Sequence, residues 1–159
     1  MELQQLSPVT MCMVKATLAA GTTTTISNTG AVVYAIDGKA YSVAAMTNAA
    51  TPTTDGVTGV AFVGVAANYG SIFIHGYNAA GTLKVLQGSV EALDAGGNFT
   101  NAPRMPAIPA DFCPFAYLVI KAGSTASTWT YGTSNQASAT GITYTRVDVC
   151  SLPSRLQIS

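Results

Sequence analysis

The sequence predicts an all-β protein, an antiparallel β-sandwich of jelly-roll-like type, and three observations carry that prediction. Residues 114–122 form the densest apolar run in the chain, PFAYLVIKA, which is short for a helix and apolar on both faces of a strand. Asp37-Gly38 separates two β-branched runs, as is typical of a hairpin with a two-residue type I′ turn. Residues 142–149 alternate strictly between two faces, which is typical of a strand.

The other elements are indicated by β-branched runs that end at glycine, asparagine or proline. Strands are predicted, in chain order, at residues 11–18, 22–26, 31–36, 39–43, 71–77, 82–88 with a continuation to 93, and 128–131. Residues 57–65 are again apolar and β-branched, whereas residues 44–48 are rich in Ala and Met and are typical of a turn of helix. The last strands predict a meander or part of a sandwich with residues 114–122 in the middle of the sheet.

Residues 94–109 contain three prolines at every third position and two adjacent glycines, so they predict an irregular segment lying over a sheet. The length of 159 residues indicates a single domain. We assign that β domain to residues 11–150. An N-terminal arm, 1–10, and a C-terminal arm, 151–159, lack a core pattern and are candidate clasps onto other subunits.

The charge content limits the partners that the chain can have. Charged residues are 9% of the chain and the net charge is zero, against about 25% charged residues in an ordinary soluble domain. We infer that other subunits cover much of the surface. Basic residues stand singly, which predicts no nucleic-acid partner. No apolar run reaches the roughly 18 residues of a membrane span, and the N-terminus lacks a signal-peptide pattern, so we expect no membrane partner.

The sequence predicts no enzyme and no catalytic residue. His75 is the sole histidine, so a Ser–His or Cys–His site would have to use it. Gly-x-Ser-x-Gly and P-loop motifs are absent. The carboxylates of Glu91, Asp94 and Asp111 are the candidates for an acid–base pair, but nothing in their spacing marks two of them as partners.

No metal or cofactor is predicted either. Cys12, Cys113 and Cys150 with His75 would be the ligands of a Cys₃His zinc site, but structural zinc uses close cysteine pairs, which are missing here. An odd number of distant cysteines is typical of buried thiols in a reducing cytosol. Five aromatic residues could instead line a sugar-stacking surface: Tyr69, Tyr77, Trp129, Tyr131 and Tyr144.

Several short phrases of the chain resemble a known class of protein. They are residues 31–41, AVVYAIDGKAY; 77–88, YNAAGTLKVLQG; 113–123, CPFAYLVIKAG; and Val147-Asp148. These segments are similar to those of the small virion structural proteins of tailed bacteriophages that decorate or cement the capsid. The resemblance implies a β-rich fold, often trimeric, bound at junctions between capsomers, and it carries over no functional residue.

The expected function is therefore that of a phage head decoration or cement protein, which binds the outside of the capsid at capsomer junctions and stabilises the shell. Its partners would be copies of itself, as a homotrimer, and the major capsid protein. It would be made in the host cytoplasm and reside on the virion surface. The alternative is a tail- or fibre-associated virion protein that binds a host receptor or glycan through exposed aromatics such as Trp129 and Tyr131.

Overall fold

The computed structural model of the chain describes residues 9–152, and the regular structure in that range is entirely β. Its strands are β1 Met11–Cys12, β2 Leu18–Ala20, β3 Thr25–Asn28, β4 Val32–Ile36, β5 Lys39–Val43, β6 Met46–Ala50, β7 Tyr69–Tyr77, β8 Leu83–Gln87, β9 Glu91–Ala92, β10 Cys113–Ala122 and β11 Ile142–Asp148. Every pairing between them is antiparallel. The all-β prediction is confirmed, while jelly-roll connectivity stays a prediction. No helix within residues 9–152 is long and apolar enough to cross a membrane.

The central sheet has the strand order β11-β10-β7-β8, and β9 pairs with the start of β7. β10 lies between β7 and β11, as its two apolar faces predict, and Lys121 is its one residue that is not fully buried. The register between β10 and β7 shifts between Pro114 and Ala116, which places a bulge at Phe115. The pairing of β10 with β11 is unbroken over seven residues.

Two small sheets, β1-β4-β5 and β2-β3-β6, form the N-terminal part of the molecule. The hairpin of β4 and β5 confirms the prediction from Asp37-Gly38. Both turn residues have positive φ, 49° and 76°, as a type I′ turn requires.

Side chains cover the central sheet on both faces. The front face, which carries Phe73, His75 and Tyr77 of β7, packs against the small sheets and against a second aromatic group. That group consists of Phe62, Trp129 and Tyr131. The back face packs mainly against side chains of the segment between β9 and β10, namely Phe99, Met105 and Phe112. The prediction that residues 94–109 are irregular and lie over a sheet is confirmed.

Two predicted elements are wrong. Residues 44–48 contain no turn of helix, because Met46–Ala50 pairs with β3 as strand β6. Residues 128–131 do not extend the central sheet. Trp129 makes an isolated bridge to Val65, and the segment folds over the front face, where the rings of Trp129 and Tyr131 are buried. Burial of two large rings outweighs the strand preference of so short a run.

Other strand boundaries differ from those that the sequence predicts. The strand predicted at residues 11–18 is divided into β1 and β2, and Thr17 between them has a φ of 56°, which departs from an extended conformation. β3 begins at Thr25 because a turn precedes it, in which the Thr25 amide donates to the Thr22 carbonyl oxygen (3.1 Å). The predicted arms, 1–10 and 151–159, lie mostly outside the described residues.

Candidate functional site

His75 lies in the middle of β7 and is completely buried. Its Nε2 is 2.7 Å from the Tyr131 hydroxyl. Burial, reinforced by the charge of Arg146, lowers the pKa of His75 to about 3. The ring is therefore neutral at pH 7, and it shares a hydrogen bond through Nε2 with the Tyr131 hydroxyl, whose pKa burial raises. A base with so low a pKa and no access to solvent is poorly suited to general-base catalysis at neutral pH.

Each of the three candidate carboxylates forms hydrogen bonds with a different part of the structure. Glu91 accepts a hydrogen bond from the Ser89 hydroxyl (2.6 Å). Asp94 accepts the backbone amides of Gly96 and Asn98 within one turn. The third, Asp111, accepts the amide of Ala79 (2.8 Å). Each carboxylate thus has a structural hydrogen-bond partner within the protein.

The cysteines are free thiols in different surroundings. Cys12 and Cys113 are buried under the front face, and Cys150 is exposed. Burial raises the pKa of both buried thiols, that of Cys113 to about 12. Within residues 9–152, no three His, Cys, Asp or Glu side chains are grouped so that they could hold a metal ion. The structure thus does not bring the three cysteines and His75 together as zinc ligands.

The aromatic residues considered for sugar stacking are mostly core residues, so the expectation of exposed rings at Trp129 and Tyr131 is wrong. Both are at most 1% exposed, and Tyr77 is buried as well. The Trp129 indole N–H donates to the Asn135 carbonyl oxygen (2.8 Å), which satisfies its polar atom inside the molecule. Tyr144 is partly buried against Trp129, and Tyr69 alone of the five is substantially exposed (44%).

A groove beside β8 is the strongest candidate for a functional surface. It has a volume of about 600 Å³. We call it the valine groove, and it is lined by Asp55, Val57, Thr58, Val60, Ala61, Val63, Gln87, Gly88, Ser89, Val90, Pro106 and Ala107. Val57, Val60 and Val63 are 47%, 65% and 63% exposed. Three half-exposed valines around one concavity form an apolar patch of the kind that marks interaction surfaces.

The carboxylate of Asp55 organises the loop that forms one wall. Oδ1 accepts the amides of Val57 (3.0 Å) and Thr58 (2.9 Å), and Oδ2 accepts the Gln87 amide from β8 (2.8 Å). Partial burial raises the pKa of Asp55, but these hydrogen bonds outweigh it, so the pKa is lowered overall. Asp55 is the one ionisable side chain of the lining, and its oxygens already have partners.

The amide of Gln87 is also used within the protein. Its Oε1 accepts the Val63 amide (2.8 Å), and its Nε2 donates to the Val63 carbonyl oxygen (2.9 Å). This two-bond clamp ties the valine-bearing loop to β8. The clamp and Asp55 together hold a surface that offers mainly methyl groups, and the charge of the Asp55 carboxylate is already hydrogen-bonded to backbone amides.

Sequence reasoning misses the valine groove, although a signal is present. Residues 57–65 have the composition of a strand, but Val57, Val60 and Val63 recur at intervals of three, which does not match the period of two of a strand. Gly59 adopts a φ of 69°, which ends any extended run there. Asp55-Gly56 before the valines is a further turn signal.

Comparison of the chain with family models, with curated proteins and with solved structures found no match.

Proposed function

We propose that this protein is a non-catalytic structural protein that docks on a larger protein assembly through the valine groove. The observation that carries the proposal is the exposure of Val57, Val60 and Val63 around a concavity whose polar side chains are already paired. Covering each of these valines with a partner would contribute about 1 kcal/mol. The patch therefore supplies affinity without any chemistry at the site.

The chemistry of the groove defines its occupant. Asp55 and Gln87 already have internal hydrogen-bond partners, so they offer a polar partner few free donors or acceptors, and the Asp55 carboxylate would repel an anionic one. An apolar, uncharged ridge of a folded protein fits this lining. The rigid wall also limits the entropy lost on binding, because the loop is already held in one conformation.

We further propose that the assembly is the capsid of a tailed bacteriophage, and that the protein is a head decoration or cement protein bound to the outside of the major capsid protein at capsomer junctions. Support comes from the sequence resemblance, from the low charge content and from the all-β fold. The resemblance also implies a homotrimer on the virion surface, made in the host cytoplasm. Multivalent attachment would then strengthen a modest single contact.

The alternative, a tail or fibre protein that binds a glycan, has less support. Its expected stacking residues, Trp129 and Tyr131, lie in the core and cannot reach a ligand without unfolding the front face. Copy number separates the two functions. A head protein would be present in purified particles in proportion to the major capsid protein, whereas a tail part would be present in few copies.

The Val60→Asp substitution tests the docking surface. Co-sedimentation with capsids that lack this chain should fall by at least tenfold, because the substitution places an unpaired carboxylate in an apolar contact. Met13→Asp is the matched control, since Met13 is similarly exposed (49%) and lies outside both the groove lining and the predicted arms. Equal binding of both variants would contradict the groove as the docking surface, and failure of the unchanged protein to bind capsids would contradict the decoration function itself.

A further inference from the structure

The outer edge of the central sheet at β11 has no neighbouring strand among residues 9–152. In an antiparallel pair, alternate residues bond to the neighbouring strand and those between them point away from it. The Val149 amide donates to the Phe115 carbonyl oxygen (2.9 Å), which fixes the phase of the β10–β11 pairing. Thr143, Thr145 and Val147 therefore bond to β10. The backbone N–H and C=O groups of Tyr144 and Arg146 point outward.

No described residue occupies these outward groups. At one end of β11, the Ile142 amide donates to the Ala139 carbonyl oxygen (3.2 Å). At the other end, the Asp148 carboxylate accepts the Leu18 amide (2.9 Å). Between these contacts, within the part of the chain that the structure describes, the backbone groups of Tyr144 and Arg146 have no hydrogen-bond partner.

β11 lacks several of the features that usually protect an edge strand, and of the others it has one, the inward-pointing charge of Arg146. It contains no proline and no lysine, and its register with β10 has no bulge. Its one cation, Arg146, turns inward, where its guanidinium donates to the Gln136 carbonyl oxygen and lies over the Tyr144 ring. The side chains beside the open groups are therefore compatible with addition of a strand.

The edges of the two small sheets are weaker templates. β5 and β6 have five residues each, against seven in β11. β6 is further interrupted by Asn48, whose φ of 52° departs from an extended conformation.

We propose that β11 pairs antiparallel with β11 of a second copy of this chain, about a twofold axis at Thr145. The opposite edge of the sheet, β8, is closed by the chain itself, because Gly56 donates to the Val85 carbonyl oxygen and Asp55 accepts the Gln87 amide. A head-to-tail continuation of the sheet from β11 to β8 is thereby blocked. The like-to-like contact is the arrangement that leaves each β11 paired.

Charge disfavours one of the alternative registers of this contact. If Tyr144 pairs with Arg146 of the second copy, the outward backbone groups of both residues are satisfied, and each guanidinium faces a ring. A shift by two residues in one direction would place Arg146 opposite Arg146 of the second copy, and like charges directly opposite destabilise a sheet. In the favoured register, Thr145 faces Thr145 of the second copy, and Thr143 faces Val147 of the second copy.

This contact does not depend on the proposed function of the valine groove. The groove lies at the β8 edge, with β7 and β10 between it and β11, so a β11 pair leaves both grooves free at opposite ends. Such a pair would present two docking surfaces to one assembly. The trimer implied by the sequence resemblance would need another surface, because a twofold contact joins chains only in pairs.

Disulfide trapping tests the register. Thr145→Cys, in a Cys150→Ser background that removes the exposed thiol, should give a covalent dimer with oxidised glutathione, because Cα atoms directly opposite in such a pair lie within disulfide range. Thr143→Cys in the same background is the matched control, since its partner position is Val147. Trapping of at least ten times more dimer at residue 145 than at 143 is expected. Equal trapping at both positions, or none at 145 in a folded protein, would overturn the proposal.

A charge variant measures the contact without crosslinking. Thr145→Glu places two carboxylates opposite each other at the axis, whereas Thr47→Glu adds the same charge to an exposed threonine of β6, outside the contact. We expect the dissociation constant from sedimentation velocity to rise at least tenfold for Thr145→Glu and to change little for Thr47→Glu. Circular dichroism of both variants confirms the fold. A fully monomeric unchanged protein at 100 µM, a concentration of the order used for weak dimers, would also refute the pairing.

Discussion

The two edges of the central sheet are treated in opposite ways. At β8, the chain's own loop closes the edge, since Gly56 and Asp55 bond to Val85 and Gln87 of that strand, each at 2.8 Å. At β11, the outward groups of the middle of the strand have no partner among the described residues. Both strands belong to the same antiparallel sheet. Edge exposure is therefore decided by the segments that lie beside a strand in space, and not by the strand itself.

The difference between the two edges indicates two kinds of contact surface. The loop that closes β8 also presents Val57, Val60 and Val63, so edge protection and the valine groove come from one segment. That side offers side-chain methyl groups to a partner. The other side offers backbone hydrogen bonds. One molecule would thus have two contact surfaces of different chemistry.

Removing the Asp55 carboxylate, which closes the β8 edge, should have the largest effect on the difference between the two edges. Asp55→Ala leaves the amides of Val57, Thr58 and Gln87 without their acceptor, so we expect the free energy of unfolding to fall by about 2–3 kcal/mol. Urea denaturation measures the loss. The Asp55→Ala substitution should also open the β8 edge and cause concentration-dependent association.

Asp94→Ala is the matched control for this substitution. Asp94 accepts backbone amides in the same manner, from Gly96 and Asn98, but within an exposed turn that makes no hydrogen bond to β8 or β11. We expect a smaller loss of stability and no new association. If both variants lose the same stability and neither associates, Asp55 does not close the edge.

Lowering the pH should reduce the free energy of unfolding through His75, which lies on β7 between the two edges of the sheet. The pKa of His75 is lowered from 6.5 to about 3 by burial and by Arg146 of β11, so the unfolded chain takes up a proton first as the pH falls. The His75 contribution to stability is complete above pH 6.5 and is lost as the pH falls towards 3. We expect the free energy of unfolding to fall by about 2 kcal/mol between pH 6.5 and pH 5, at about 1.4 kcal/mol per pH unit.

His75→Gln identifies the source of this slope. His75 is the sole histidine, and glutamine keeps an acceptor for the Tyr131 hydroxyl without titrating. Urea denaturation of this variant between pH 6.5 and pH 5 should show a nearly flat profile. An unchanged slope would mean that another group is responsible.

Hydrogen exchange of backbone amides distinguishes the two edges in the unchanged protein. No change in stability is expected in this experiment. The Gln87 amide, bonded to Asp55, should be protected at every protein concentration. The amides of Tyr144 and Arg146 should exchange rapidly in dilute protein and become protected as concentration rises, because pairing of β11 would supply their acceptors. Protection of these two amides in a dilute monomer would show that the β11 edge is already closed.

Much of the fold is readable from local pattern. The Asp37-Gly38 turn requires positive φ at both positions and is identified from the residue types alone. β10 is recognised as a central strand because both of its faces are apolar. Residues 128–131 show where this approach fails. Their alternation is that of a strand, but Trp129 and Tyr131 pack over the front face of the central sheet instead.

The sequence by itself determined the fold class, the hairpin, the buried central strand and the scarcity of charge, because each depends on the period, the turn chemistry or the composition of a short stretch. The tertiary structure alone decided that His75 is a neutral core residue, that Trp129 is inaccessible and that the valines around residue 60 are exposed. These properties depend on which distant segments meet, as Asp55 meets Gln87 across 32 residues. Hydrophobic periodicity specifies which side of a strand is apolar, but only packing determines whether a neighbour, a loop or a second chain covers it.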